Sequence, residues 1–102
     1  MADCTIIYVP PSGTTQHTQH GWIATIGDVC VGHIRMQQEA NKQIKFMDAW
    51  VHEDYRRQGI FRTLWDARWK FVTKGYDGYT AYAWAKPMSL PLLLEKGFEE
   101  GD

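Results

Sequence analysis

Long apolar runs, cysteine and net charge are all scarce in this chain of 102 residues. Apolar stretches such as residues 6–9 fall far short of the roughly 20 residues that a bilayer span needs, so no membrane partner is expected. Asp3 stands where a secretory leader would carry basic residues, and no apolar leader core comes after it. Two cysteines, Cys4 and Cys30, allow at most one bridge. Such a lone pair fits free thiols in a reducing compartment, the cytoplasm. Eleven Lys and Arg against twelve Asp and Glu leave a net charge of −1, which argues against nucleic acid as a partner. His17, His20, His33 and His52 show no metal-ligand spacing with cysteine or carboxylates, so no metal is expected. His17 and His20 read as solvated loop residues. What the chain does have is 44% hydrophobic and 23% charged content, the balance of one globular domain over 1–102.

Periodicity divides the chain. Residues 5–9 read as a strand stopped by Pro10 and Pro11, and residues 12–20 as a polar loop. Residues 21–26 and 29–37 are β-branched and apolar around Gly27-Asp28, a hairpin signal. After a polar turn at 39–42, residues 44–51 read as one strand. Simple alternation puts Phe46 and Trp50 on one of its faces and Met47, Ala49 and Val51 on the other. Cys30 alternates into the core. Beyond Gly59 the period becomes helical, with Phe61, Leu64, Trp65, Arg68 and Val72 on one stripe and Gly75 as a left-handed stop. Residues 79–84 read as a strand buried on both faces. Residues 89–96 read as a short helix ended by Gly97. The order predicts an α+β domain.

Charge is uneven along this order. From Arg56 to Lys74 six positive residues meet one negative, Asp66, which points to a local anionic ligand or to a solvated helix face. The segment 48–63, DAWVHEDYRRQGIFRT, runs from strand through a basic, glycine-bearing turn into a helix start. The first helical turn leaves N–H groups without partners and carries the positive end of the macrodipole. Gly59 lets phosphate approach the backbone, and Arg56, Arg57 and Arg62 add charge around it. The same residues also suit an Arg-rich turn that merely caps a helix.

Val51-His52-Glu53-Asp54-Tyr55-Arg56-Arg57-Gln58-Gly59-Ile60 resembles the acetyl-CoA-binding signature of the GNAT superfamily of N-acetyltransferases, Q/R-x-x-G-x-G/A opening a helix. Arg56 takes the first position and Gly59 the first glycine, while Phe61 stands where the second Gly or Ala belongs. Residues 27–34, with Val31-Gly32, are similar to the family's hairpin into its third strand. Residues 79–85 sit where its fifth strand belongs, and 86–98, ending Glu95-Lys96-Gly97-Phe98, resemble its last helix. The likeness spans about residues 21–98. It implies a mixed, mostly antiparallel sheet flanked by helices and shortened at both ends.

The resemblance also implies a chemistry. Backbone N–H groups at Gln58, Gly59, Phe61, Arg62 and Thr63, next to Ile60, would hold the CoA pyrophosphate. The main chain of Trp50, Val51 and His52 would pair with the pantetheine arm, and a fourth-strand N–H would polarise the thioester carbonyl. A primary amine would then attack the thioester directly. The family's usual base positions fall on Lys45 and Met47, so Asp48, with Glu53 or His52 beyond it, is the candidate base. Its acid tyrosine falls on Leu93, which leaves Ser89, Tyr82 or water. The implied activity is acetyl-CoA-dependent N-acetylation of an amine, on a small molecule or a protein lysine, in a homodimer joined at an unfinished sheet edge. The competing reading is a catalytically silent acyl-CoA-binding or protein-interaction module on the same fold.

Overall fold

Two tight turns and two register shifts shape the sheet. The computed structural model describes residues 4–11, 18–47, 49–83 and 90–98. Its strands are β1 (Thr5–Val9), β2 (Thr18–Ile26), β3 (Val29–Glu39), β4 (Gln43–Phe46), β5 (Trp50–Val51) and β6 (Thr80–Ala83). Helix α1 spans Ile60–Gly75 and the short helix α2 spans Leu90–Glu95. β1 to β4 are antiparallel in chain order, β5 pairs with β3, and β6 lies parallel to β4. This is the expected α+β, mostly antiparallel architecture. Gly27 opens the first hairpin turn at φ 61°, and Asn41 and Lys42 turn the second at φ 62° and 56°. Positive φ at such turn residues gives the loop a backbone twist that matches the flanking strands.

One face of the sheet packs on α1. Trp22, Ala24, Val31, Ile34, Met36, Ile44, Phe46 and Val51 meet Ile60, Leu64, Trp65 and Val72 there, with Leu93 of α2 at one end. Among the described residues no helix is long and apolar enough to cross a membrane.

Several sequence expectations change here. Thr18–His20 belong to β2 rather than to a loop; His17 lies outside the described residues. Cys30 is exposed rather than core. Gly32 faces Ala24 but Cys30 faces Thr25, so Val31 is an extra residue, and this bulge turns Cys30 to the opposite face. Gly75 stays inside α1, whose chain leaves through Tyr76 at φ −130°. Residues 81–83 of β6 are only half-buried and Thr80 is exposed, because among the described residues β6 ends the sheet and has β4 as its one neighbour. Gly97 does end α2 in the left-handed region, at φ 92°. There Phe98 N–H donates to Leu93 O (3.0 Å) and Gly97 N–H to Leu94 O (3.1 Å), the paired bonds of a Schellman stop.

His20 is 7% exposed, not solvated. The Tyr8 hydroxyl lies 2.6 Å from its Nδ1 and the Tyr76 hydroxyl 3.2 Å from its Nε2, while Tyr76 also donates to Gln38 Oε1 (3.0 Å). Phe71 packs its ring 5.1 Å away. Burial pushes the His20 pKa below 6.5, only partly opposed by Gln38. The folded state therefore favours neutral imidazole. Stability is full above about pH 6.5 and falls as pH drops through the depressed folded value, because the unfolded chain binds more protons. Thermal melts between pH 8 and pH 5 are expected to show this fall, and His20→Gln to reduce it, the remainder coming from His33, whose pKa burial and Arg35 also lower. An equally steep fall in the variant would place the titration elsewhere.

Candidate functional site

The site grows from an interruption in the sheet. Met36 faces Phe46 while His33 faces Trp50, so three steps along β3 match four between β4 and β5. One extra residue is thus inserted between Phe46 and Trp50, a bulge that reverses the facing of the residues beyond it. Val51 is 3% exposed and joins Phe46 in the core, while Trp50 is 40% exposed on the other face beside His33. The simple alternation expected for 44–51 fails for that reason.

The bulge also separates the strands. β4 keeps β6 on one side, from Gln43↔Thr80 to Phe46↔Ala83. β5 is paired only with β3 among the described residues. His52 N–H donates to Val31 O at 2.8 Å, so that donor points into the sheet. Antiparallel alternation then turns the Val51 N–H to the outer edge. Its carbonyl accepts from Arg56 Nε at 3.0 Å.

Gly32 makes this arrangement possible. A Cβ there would stand 2.8 Å from Trp50 O and 3.2 Å from Leu64 Cδ1. Only a bare backbone lets β3, β5 and α1 approach so closely.

From β5 the chain enters a single 3-10 turn, Glu53–Tyr55, started by His52, whose Nδ1 accepts from Asp54 N–H at 3.1 Å. Arg57 takes φ 64° and Gly59 φ 81°. Gly59 is the N-cap of α1, with no side chain capping the helix and nothing within 4 Å of where a Cβ would be. The first-turn N–H groups of α1 thus have no side-chain partner at the positive end of the helix. Thr63 instead bonds backward, its N–H and hydroxyl both donating to Gly59 O (3.0 and 2.8 Å).

Side chains sort themselves around this turn. Ile60 is buried, and Phe61 packs against the core, so the bulk at Phe61 points away from the helix mouth. Arg57 and Gly59 are exposed and Gln58 is half-buried. Arg62 Nη1 reaches Glu95 Oε2 at 3.2 Å, both half-exposed, a tether of α1 to α2 worth only about 0.2–1 kcal/mol. Glu53 is exposed in the 3-10 turn. Asp48 and Ser89 lie outside the described residues. The Tyr82 hydroxyl donates to Glu39 Oε1 at 2.6 Å, and that bond raises its pKa, which weakens it as a proton donor. Leu93 is core. Sequence reasoning did not single out Gly32 as a contact point or Arg68 as an internal hydrogen-bond donor. The helical stripe that contains Arg68 was the available signal for the second.

A strand with an open edge leading through a left-handed glycine into an uncapped helix is an arrangement that suits a phosphate-bearing ligand. A family model of the acetyltransferase (GNAT) domain matches residues 11–101. The chain belongs to the GNAT acetyltransferase family. No curated protein matches it. Among solved structures it is similar to an acetyltransferase of Trypanosoma brucei, at TM-score 0.66 and 16% identity over 82% of this chain and 64% of that one. It is similar to the aminoglycoside N-acetyltransferase AAC(6')-Iy in complex with CoA, at TM-score 0.60 and 20% identity over 82% and 62%. A ribosomal-protein-alanine N-acetyltransferase from Brucella melitensis gives TM-score 0.61 and 18% identity over 82% and 64%. This GNAT chain therefore spans less than two thirds of the length of these proteins. Its resemblance reaches about ten residues further toward the N-terminus than the span read from the sequence, which began near residue 21.

Proposed function

We propose that this GNAT chain is an acetyl-CoA-dependent N-acetyltransferase that passes the acetyl group directly to a primary amine. The observation that carries the reading is the uncapped start of α1 behind Gly59, continuous with the one-sided edge at Val51. The N–H groups of Gly59, Ile60, Phe61 and Arg62 would receive the pyrophosphate, with Arg57 beside them as a screening cation. The Val51 N–H would pair with the pantetheine arm as an added strand does. A backbone N–H at the bulge would polarise the thioester carbonyl.

In the reaction the amine nitrogen forms a bond to the thioester carbon, the carbon–sulfur bond breaks, and CoA leaves as its thiolate. The amine proton passes to a base or water. A lysine-type amine near pKa 10.4 is mostly protonated at neutral pH, so a carboxylate base would raise the rate by about 10²–10⁴-fold. Asp48 and Glu53 are the candidates in that role, and Ser89 or water returns a proton to sulfur. Two of the named proteins are an aminoglycoside and a ribosomal-protein-alanine N-acetyltransferase. Aminoglycosides and proteins both supply amines, so the acceptor class for this chain is an amine on a small molecule or a protein. An exposed sheet edge invites pairing with a second copy of the chain, and we propose a homodimer through such an edge.

The test is release of CoA thiol from acetyl-CoA across a panel of polyamines, aminoglycosides and lysine peptides. Acceptor-dependent release supports an enzyme. CoA binding without release for any acceptor favours a silent acyl-CoA module, the reading to which buried Leu93 and the Tyr82–Glu39 bond lend weight. Arg57→Gln is expected to weaken CoA binding several-fold at low salt and progressively less as salt rises, because screening removes the same attraction. Isothermal titration at two ionic strengths reads this; an unchanged affinity at both would remove Arg57 from the site.

A further inference from the structure

Arg68 is 1% exposed, beneath the sheet on the buried side of α1. Its Nη1 donates to Met47 O at 3.0 Å and to Arg35 O at 2.9 Å. Its guanidinium carbon lies 4.2 Å from the Phe46 ring centre and 4.3 Å from that of Trp65. Nε has no partner, and the ion pairs among the described residues do not include Arg68. A buried guanidinium held by carbonyls and rings is costly to desolvate; burial draws its pKa down to about 9, and it remains a cation at neutral pH.

The place it reaches is the informative part. Met47 N–H still donates to Arg35 O at 3.0 Å, the last rung before the bulge. One residue is inserted immediately after, so the Met47 carbonyl loses its place in the ladder, and a buried carbonyl without a donor costs about 1–3 kcal/mol. Arg68 supplies that donor and ties the same nitrogen to β3. A helix side chain thereby pins the point at which β4 ends and β5 turns away from β6. The planar guanidinium suits this because it bonds in its plane while its faces lie on rings.

We propose that Arg68 is a positioning residue. By holding the Met47 and Arg35 carbonyls it fixes the bulge, and hence where the strand edge presents its N–H groups to the acetyl thioester. This rests on the acetyl-CoA reading above. The same helix would hold the pyrophosphate at its N-terminus, about 12 Å away along its axis at 1.5 Å per residue. One rigid element then sets both ends of the ligand: phosphate at Gly59, thioester at the bulge.

The experiment compares Arg68→Gln and Arg68→Lys with the wild-type chain. CoA affinity comes from calorimetry, the carbonyl resonance from bound [1-13C]acetyl-CoA, and turnover from CoA release at saturating acetyl-CoA with water as acceptor. Arg68→Gln is expected to leave the Kd for CoA within about threefold, since the phosphate end is distant. It should move the bound carbonyl resonance back toward the free value and slow CoA release on the order of tenfold or more. Arg68→Lys, with one charged donor, should recover part of both. A variant that binds CoA with wild-type carbonyl shift and release overturns the proposal. So does one whose only change is a lower Tm, which is the mark of a purely structural role. Failure of the wild-type chain to bind CoA would instead refute the acetyl-CoA reading, and the proposal with it. Should neither variant fold, the Arg68 guanidinium is followed in the 15N-labelled wild type. Slowly exchanging Nη protons that shift with acetyl-CoA but not with CoA support the proposal; freely rotating ones, or none that respond, contradict it.

Discussion

Gly59→Asp is expected to abolish CoA binding while the chain remains folded. Gly59 holds φ 81° as the N-cap of α1, and a Cβ placed there meets nothing within 4 Å. The substitution is thus sterically free but conformationally strained, by about 1–2 kcal/mol for an L-residue in the left-handed region. That strain lowers Tm by several degrees in a domain of this size, about 4–8 °C per kcal/mol. The larger effect is on the ligand. The new carboxylate would stand in the open space before the first-turn N–H groups, where the pyrophosphate is proposed to lie. It would compete for the same donors and repel the phosphates, so a loss of about a hundredfold or more in affinity is expected. Gly59→Ala, with strain but no charge, should fall between. Gly27→Ala is the control, since Gly27 also has positive φ with open space around it but lies in the β2–β3 turn; it should lower Tm and spare the affinity. Calorimetry and thermal melts on the three variants separate these effects. Wild-type affinity in Gly59→Asp would mean that α1 does not hold the phosphates.

Gly32→Ala is expected to give the largest loss of stability. Its added methyl would lie 2.8 Å from the Trp50 carbonyl oxygen, with Leu64 Cδ1 at 3.2 Å and Val51 Cγ2 at 3.4 Å behind it. Leu64 can shift a little, but the Trp50 carbonyl belongs to the β3–β5 ladder and cannot move without opening it. Overpacking of this kind costs about 1–3 kcal/mol, and more where backbone must yield. The expected Tm drop is at least about 5 °C by circular dichroism. Because β5 carries the proposed pantetheine edge, CoA affinity should fall as well even in the folded fraction. An unchanged Tm would show that β3 and β5 are not in the close register described.

The features that were legible in the sequence are those governed by local rules. The hairpin at Gly27, the helix from the signature turn to Lys74, and the stop at Gly97 each arise from backbone chemistry carried by two or three residues. The basic turn before α1 was legible because a helix start, a glycine and arginines are individually interpretable. The insertions in the sheet were hidden. Period-two alternation assumes an uninterrupted ladder, and one extra residue at Val31 or between Phe46 and Trp50 reverses every facing beyond it, which alone accounts for where Cys30 and Trp50 lie. The polar neighbours of His20 suggest a loop, whereas its partners Tyr8 and Tyr76 lie 12 and 56 residues away in sequence. Arg68 sat on an apolar stripe that reads as core, yet nothing local says that two carbonyls wait above it.

The most direct test of the central claim is the amide spectrum of the 15N-labelled chain titrated with CoA. The largest shifts are predicted to fall on the N–H groups of Gly59, Ile60, Phe61 and Arg62, with a second set at Val51 on the β5 edge. Shifts confined to other parts of the sheet, or none at millimolar CoA, would contradict the claim that α1 and β5 together hold the cofactor.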